Sequence, residues 1–252
     1  MEGKGRAATL DGLTVCRVPV AQVSHPSTPS VILERDLTLF AWYTVAWVLK
    51  VKEADYLFVD VDFHGSFLKS DEFKSWNPNA LVPVIRDGDF SLFEGTAILT
   101  YLAEKFGWTD LYPTDMQARA KVNEFLSWHH TNTRLFTLQI LRPAIGKKLG
   151  GASPADLAFL ENVDALLEKE MTLLETFLDK DYIAHTDAPT VADYIAYCEI
   201  DQLEMMGYDF SKYAKVSAWL ARMKKIPFHD EVHEDLDKFL TSLEMRGDAS
   251  KP

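Results

Sequence analysis

Cysteine is scarce. Cys16 and Cys198 are the only two in 252 residues, too few and too far apart for a disulfide framework, a zinc spacing or a Cys-x-x-Cys redox motif. This fits a reducing compartment. Cys198 falls in a helical apolar pattern and reads as a small buried hydrophobe. Positive charge is also in short supply, with 26 Lys and Arg against 38 Asp and Glu and a formal net charge of −12. That balance argues against a nucleic-acid partner and gives no support for binding an anionic membrane. Blocks of like charge, internal repeats and low-complexity tracts are missing; Lys147-Lys148 and Lys224-Lys225 are only pairs. The longest apolar run, Leu37 to Leu49, is well short of the ~20 residues that span a bilayer. Glu34, Arg35 and Asp36 precede it and no cleavage-like pattern follows, so it is not expected to be a signal sequence. It reads instead as a buried core helix. The final Ala249-Ser250-Lys251-Pro252 does not match the peroxisomal Ser-Lys-Leu address. The expected location is cytoplasmic.

The apolar fraction, 47%, supplies an ordinary globular core. Residues 1–12 read as a disordered extension. Leu13 to Val23 alternates loosely and could hold a strand. Ser24 to Ser30 is a Ser/Pro loop, and the apolar helix follows to about Lys52. Tyr56 to Asp62 is a short strand, and Ser70 is placed to cap a short helical turn over Asp71 to Phe73. From Asn77 to Ile98 the chain reads loop, strand, Asp87-Gly88 hairpin turn, strand, and then a helix from Glu94 to about Phe106. A Pro at residue 83 belongs at a strand's start. If the Val82–Pro83 bond is cis, the amide and carbonyl of Val82 turn outward. Together residues 13–107 make a thioredoxin-like α/β unit. Residues 108–114 form a linker, and 115–252 are helical throughout. Long helices are predicted from Met116 to about Leu141 and from Pro154 to Phe177. Thr190-Val191-Ala192-Asp193 is a capping box that opens a helix to about Met206. Tyr213–Lys225 and Asp230 to about Met245 are the last pair.

Val82 and Glu94-Gly95-Thr96 suggest a site for a small peptide acid. It would pair with the Val82 backbone like an added strand and dock its carboxylate at a helix N-terminus. This block resembles the glutathione-binding half of a glutathione S-transferase. Trp128 to Arg134, Pro189 to Asp193 and Pro227 to Glu234 sharpen the likeness toward the theta class. It covers roughly residues 54–240 and is poor before residue 40. The resemblance implies a thioredoxin-like domain followed by an all-α domain, glutathione as cosubstrate and no metal. It also implies a small electrophile as partner and a homodimer. The expected reaction is thiolate attack on carbon with loss of halide, or addition.

The resemblance also assigns residues. A serine in a Ser-x-Pro setting before the first helix should stabilise the thiolate, and Ser24-His25-Pro26 matches that motif. More residues separate Ser24 from the strand at Tyr56 than the family needs. The alternative first strand is Val31-Ile32-Leu33, which would make Thr38 the hydroxyl donor. Val82, Pro83, Glu94, Gly95 and Thr96 should hold the peptide, with Lys69 or His64 substituting for a polar contact near Leu68. Gly95 replaces the usual hydroxyl, and Leu81 stands where lysine is common. Arg134 is placed near the active-site cleft, where a guanidinium could stabilise the thiolate or a leaving anion; an ordinary salt bridge is the competing reading. Adjacent His129 and His130 point about 100° apart on a helix and cannot share a metal. His229 and His233 have i, i+4 spacing suited to zinc in principle, but are expected on a solvated helix face. The departures at residues 81 and 95 leave a second reading open, a transferase-fold scaffold or partner-binding protein without catalysis.

Overall fold

The computed structural model describes residues 8–10, 13–15, 30–33, 42–61, 66–161 and 163–245. The chain divides into two compact units, residues 1–98 and 99–252. The division falls inside helix α3 (Gly95–Phe106), N-terminal to the turns at 108–114 where the sequence places its linker.

In the first unit, β1 (Ala8–Leu10) pairs antiparallel with β2 (Leu13–Val15) in a two-stranded sheet of their own. The extension expected to be disordered therefore contains a strand. The missed signal is Asp11-Gly12 between paired Leu10 and Leu13, the dipeptide that two-residue hairpins favour. The main sheet is built from β3 (Ser30–Leu33), β4 (Leu57–Asp60), β5 (Val84–Asp87) and β6 (Phe90–Phe93), in the order β4-β3-β5-β6. β3 runs parallel to β4 and antiparallel to β5, and β5 antiparallel to β6. The first strand of this sheet is thus Val31-Ile32-Leu33 and not the run beginning at Leu13. Helix α1 (Trp42–Val51) supplies the crossover between the parallel strands. Tyr43 and Val45 to Leu49 are nearly inaccessible, as its all-round apolar composition requires.

Asp87 pairs with Phe90, so the hairpin loop is Gly88-Asp89, and Gly88 takes φ +61°. A short 3₁₀ turn (Phe67–Lys69) leads into α2 (Asp71–Trp76). Ser70 caps α2 as predicted, its Oγ accepting from the Phe73 N–H at 3.1 Å. Phe67, Phe73 and Trp76 contact one another with ring centroids 5.5–5.9 Å apart. They pack on a core of Val59, Val61, Leu68, Val82 and Val84.

The second unit is helical: α4 (Met116–His129), α5 (Arg142–Leu149), α6 (Pro154–Leu160), α7 (Val163–Phe177), α8 (Val191–Met205), α9 (Ala214–Met223) and α10 (His229–Ser242). Two expectations change. The predicted helix from Met116 to Leu141 breaks after His129. There the Asn132 side chain donates to the Trp128 carbonyl at 2.7 Å and competes with the helix backbone, and Phe136–Leu141 resumes as a π-helical segment. The predicted helix from Pro154 to Phe177 is two helices, α6 ending at Leu160 and α7 starting at Val163. Helix α8 is buried at every residue except Glu204. Its capping box forms. Asp193 accepts from the Thr190 N–H at 2.7 Å, the Ile183 N–H at 2.8 Å and the Trp219 indole at 2.9 Å. Burial still raises its carboxyl to about 6.

Candidate functional site

In the first unit, the loop before β5 is held from inside. Asn77 is buried; its side chain donates to the Leu81 carbonyl at 2.7 Å and accepts from the Asn79 N–H at 3.0 Å. This fixes the backbone that leads to Val82. The Val82–Pro83 peptide is cis. The sheet registers begin at Val84, paired with Ile32 on one side and Phe93 on the other, so Val82 lies outside both ladders. Its side chain is buried in the core, which anchors the strand entrance.

At the far end of β6 the chain turns into α3 through Glu94, an exposed residue held in the left-handed region at φ +74°. The Glu94 carbonyl accepts from the Ile98 N–H at 2.9 Å. Gly95 and Thr96 form the first turn of α3, where the helix dipole is positive and an acid group is stabilised. Since β5 and β6 are adjacent and Val84 faces Phe93, the strand entrance at Val82 and the helix start at Glu94 lie at the same end of the hairpin. Lys69 is exposed at the end of the 3₁₀ turn. Leu68, expected near a polar contact, is instead core, 2% exposed, because its side chain points into the Phe73–Val84 cluster. Leu81 is exposed. Ser24, Thr38 and His64 lie outside the described residues. In the sequence Ser24 precedes β3, whereas Thr38 falls between β3 and α1.

In the second unit, Arg134 bonds Glu199 of α8 at 2.7 Å. The other Glu199 oxygen accepts from Thr137 Oγ1, and Gln202 of α8 donates to Glu199's side chain and to Thr137. Glu199, Thr137 and Gln202 are all buried. These partners of Arg134 were missed, since nothing in the sequence links residues so far apart. Nearby, His129 is buried and accepts or donates at Thr133 Oγ1, 2.8 Å away. Burial, with help from His130 and Arg134, drops its pKa to about 3.

The histidines of α10 are not solvated. His229 is 8% exposed and His233 is 2% exposed, because this face of α10 lies on Tyr197 and Asp201 of α8. The two rings stack at 4.4 Å, and each meets the Tyr197 ring within 5.6 Å. The Tyr197 hydroxyl is 2.6 Å from His229 Nε2 and donates to Asp201 Oδ1 at 2.9 Å. Burial raises Asp201 to about 6 and lowers His233 to about 4. The i, i+4 spacing of Tyr197 and Asp201 on an apolar helix was the signal available for this cluster.

Family models describe the two halves of the chain. Residues 36–104 match the glutathione S-transferase N-terminal domain and residues 137–227 its C-terminal domain. Glutathione S-transferase T1 of Arabidopsis thaliana is 36% identical over 206 residues, covering 73% of this chain and 80% of that protein. T2 of the same plant is 36% identical over 207 residues, covering 73% of this chain but only 33% of its own length. Among solved structures, human glutathione transferase theta-2 in complex with glutathione and an unknown ligand superimposes with a TM-score of 0.73 at 29% identity, over 86% of this chain and 90% of that one. The human theta-class enzyme in complex with the glutathione conjugate of 1-menaphthyl sulfate gives 0.72 at 28% identity, over 87% and 90%.

Proposed function

Because the chain belongs to the glutathione S-transferase family, we propose that it conjugates glutathione to small electrophiles. The carrying observation is that the strand entrance at Val82 and the helix start at Glu94 lie at one end of the β5–β6 hairpin. The backbone of Val82 takes the cysteinyl part of the tripeptide as an added strand. Glu94 meets the γ-glutamyl ammonium, and the first turn of α3, at Gly95 and Thr96, meets the γ-glutamyl carboxylate. Pro83 fixes the entrance, and Lys69, exposed at the end of the 3₁₀ turn, serves the peptide's other end. The thiol loses its proton to water, the sulfur attacks the electrophilic carbon, and the carbon–halogen bond breaks with its electron pair leaving on the halide.

A thiol has a pKa of ~8.5 in water and must be lowered to react at neutral pH. Thr38 is the hydroxyl that follows the first strand of the main sheet and precedes α1 in the sequence, so we assign it the thiolate hydrogen bond ahead of Ser24. Arg134 serves the electrophile side, its charge held in place by Glu199. The active form is a homodimer.

Calorimetric titration of glutathione into the wild type and Ser24→Ala, Thr38→Ala and Glu94→Ala tests the reading. Binding that weakens in Glu94→Ala, with turnover of a haloalkane lost in Thr38→Ala and kept in Ser24→Ala, is the expected result. Absence of binding at millimolar glutathione would overturn it in favour of a scaffold without catalysis.

A further inference from the structure

The buried contact between α8 and α10 is rich in lone pairs. Asp201, His229 and His233 place one ligand-type atom each within 4.8 Å of one another, and all three residues are buried. His233 Nδ1 faces the His229 backbone carbonyl at 2.7 Å. A carbonyl only accepts, so Nδ1 carries the hydrogen and Nε2 carries the lone pair. Nε2 lies 3.7 Å from Asp201 Oδ2, and Asp201 Oδ2 is a buried oxygen with no hydrogen-bond partner among the described residues. Two acceptors facing each other out of water repel unless a cation or a proton lies between them.

His229 repeats the pattern. Its Nδ1 meets the exposed carboxylate of Asp230 at 2.7 Å, which again puts the hydrogen on Nδ1 and the lone pair on Nε2. The Tyr197 hydroxyl has a single hydrogen for both His229 Nε2 and Asp201 Oδ1. Each histidine thus has its outer nitrogen fixed by a carbonyl or carboxylate, which leaves its inner nitrogen to face the Tyr197 hydroxyl or Asp201. Metal-ligating histidines are oriented in this way.

We propose that Asp201, His229 and His233 form a binding site for a divalent transition metal, zinc in the first instance, that clasps α10 to α8. Two imidazoles and a carboxylate suit zinc, which takes four ligands in a structural site. The fourth position falls to water. The site lies wholly within the helical unit and does not depend on the glutathione reading.

The test is a calorimetric titration of zinc chloride into tag-free protein stripped with chelator. The expected result is one zinc per chain. Affinity should fall by about tenfold or more in Asp201→Asn and in His233→Gln. Zinc at about a hundredfold excess over its dissociation constant should raise the wild-type melting temperature by about 5–10 °C. Should the variants fail to fold, anomalous scattering at the zinc edge from wild-type crystals decides the matter. A peak among the three side chains supports the site. The proposal is overturned by no binding near one equivalent, by equal affinity in folded variants, or by an anomalous peak elsewhere, such as at His129 and His130.

Discussion

At the scale of single residues, Asp193 shows how a buried acid works without doing chemistry. Removing it leaves the N–H groups of Thr190, Ile183 and Trp219 without their acceptor. Each stranded donor costs on the order of 1–3 kcal/mol. Asp193→Ala should therefore destabilise by about 3 kcal/mol or more in urea denaturation, while turnover per folded molecule holds. His129 makes a pH prediction. Its folded pKa of about 3 lies below the ordinary value of about 6.5. Between these values the unfolded chain binds a proton that the folded protein refuses. Its contribution is therefore fully present above about pH 6.5 and is lost as the pH falls toward 3, at up to about 1.4 kcal/mol per pH unit. Asp193 acts in the opposite sense. Its pKa is raised to about 6, so the folded protein takes up a proton first, and stability falls as pH rises from about 4 to about 6. Comparing urea midpoints of wild type and His129→Gln from pH 6.5 to 4.5 isolates the histidine: the variant should lose less stability on acidification.

At the scale of elements, the Glu94 corner joins β6 to α3 at a backbone conformation that costs a non-glycine residue roughly 1–2 kcal/mol. Glu94→Gly should raise stability by about 1 kcal/mol in thermal or urea unfolding and weaken glutathione binding by at least about tenfold. A site that did not use Glu94 would show the first change without the second. Much of this architecture was legible beforehand. Val-Pro, Asp-Gly and the apolar run after Glu94 predict strand, hairpin and helix by local rules, and Ser70 and Thr190 announce their caps. The misreadings have different causes. The break after His129 depends on Asn132 reaching a carbonyl one turn back, and hydrophobic periodicity continues through it. The first strand of the main sheet was ambiguous because both Leu13–Val23 and Val31–Leu33 are apolar enough; pairing with β4 and β5 is what selects the second. The burial of His229 and His233 comes from Tyr197 and Asp201, residues remote in sequence. A helical wheel of α10 puts those histidines beside Val232, Leu236 and Leu240 and away from Glu231 and Glu234, so their burial was legible in its periodicity, whereas the identity of their partners was not.

At the scale of the whole molecule, charge bears on the proposed use of an anionic tripeptide. The chain carries a net −12, and glutathione is itself an anion at neutral pH. Long-range repulsion is screened as the Debye length shrinks from about 30 Å at 0.01 M to about 8 Å at 0.15 M salt. Raising the salt over this range should increase kcat/KM for glutathione by up to about twofold. A steep fall instead would mean that a local cationic patch steers the ligand. The burial of α8 carries a different consequence. Most helices of a globular protein can be rewritten on one side, so a library of all single substitutions screened for folded protein shows stripes of tolerance every third or fourth position. Through residues 191–205 that pattern should vanish into one continuous band of intolerance, with Glu204 as its gap. Among the described helices, the one least free to drift is therefore α8, in the second unit.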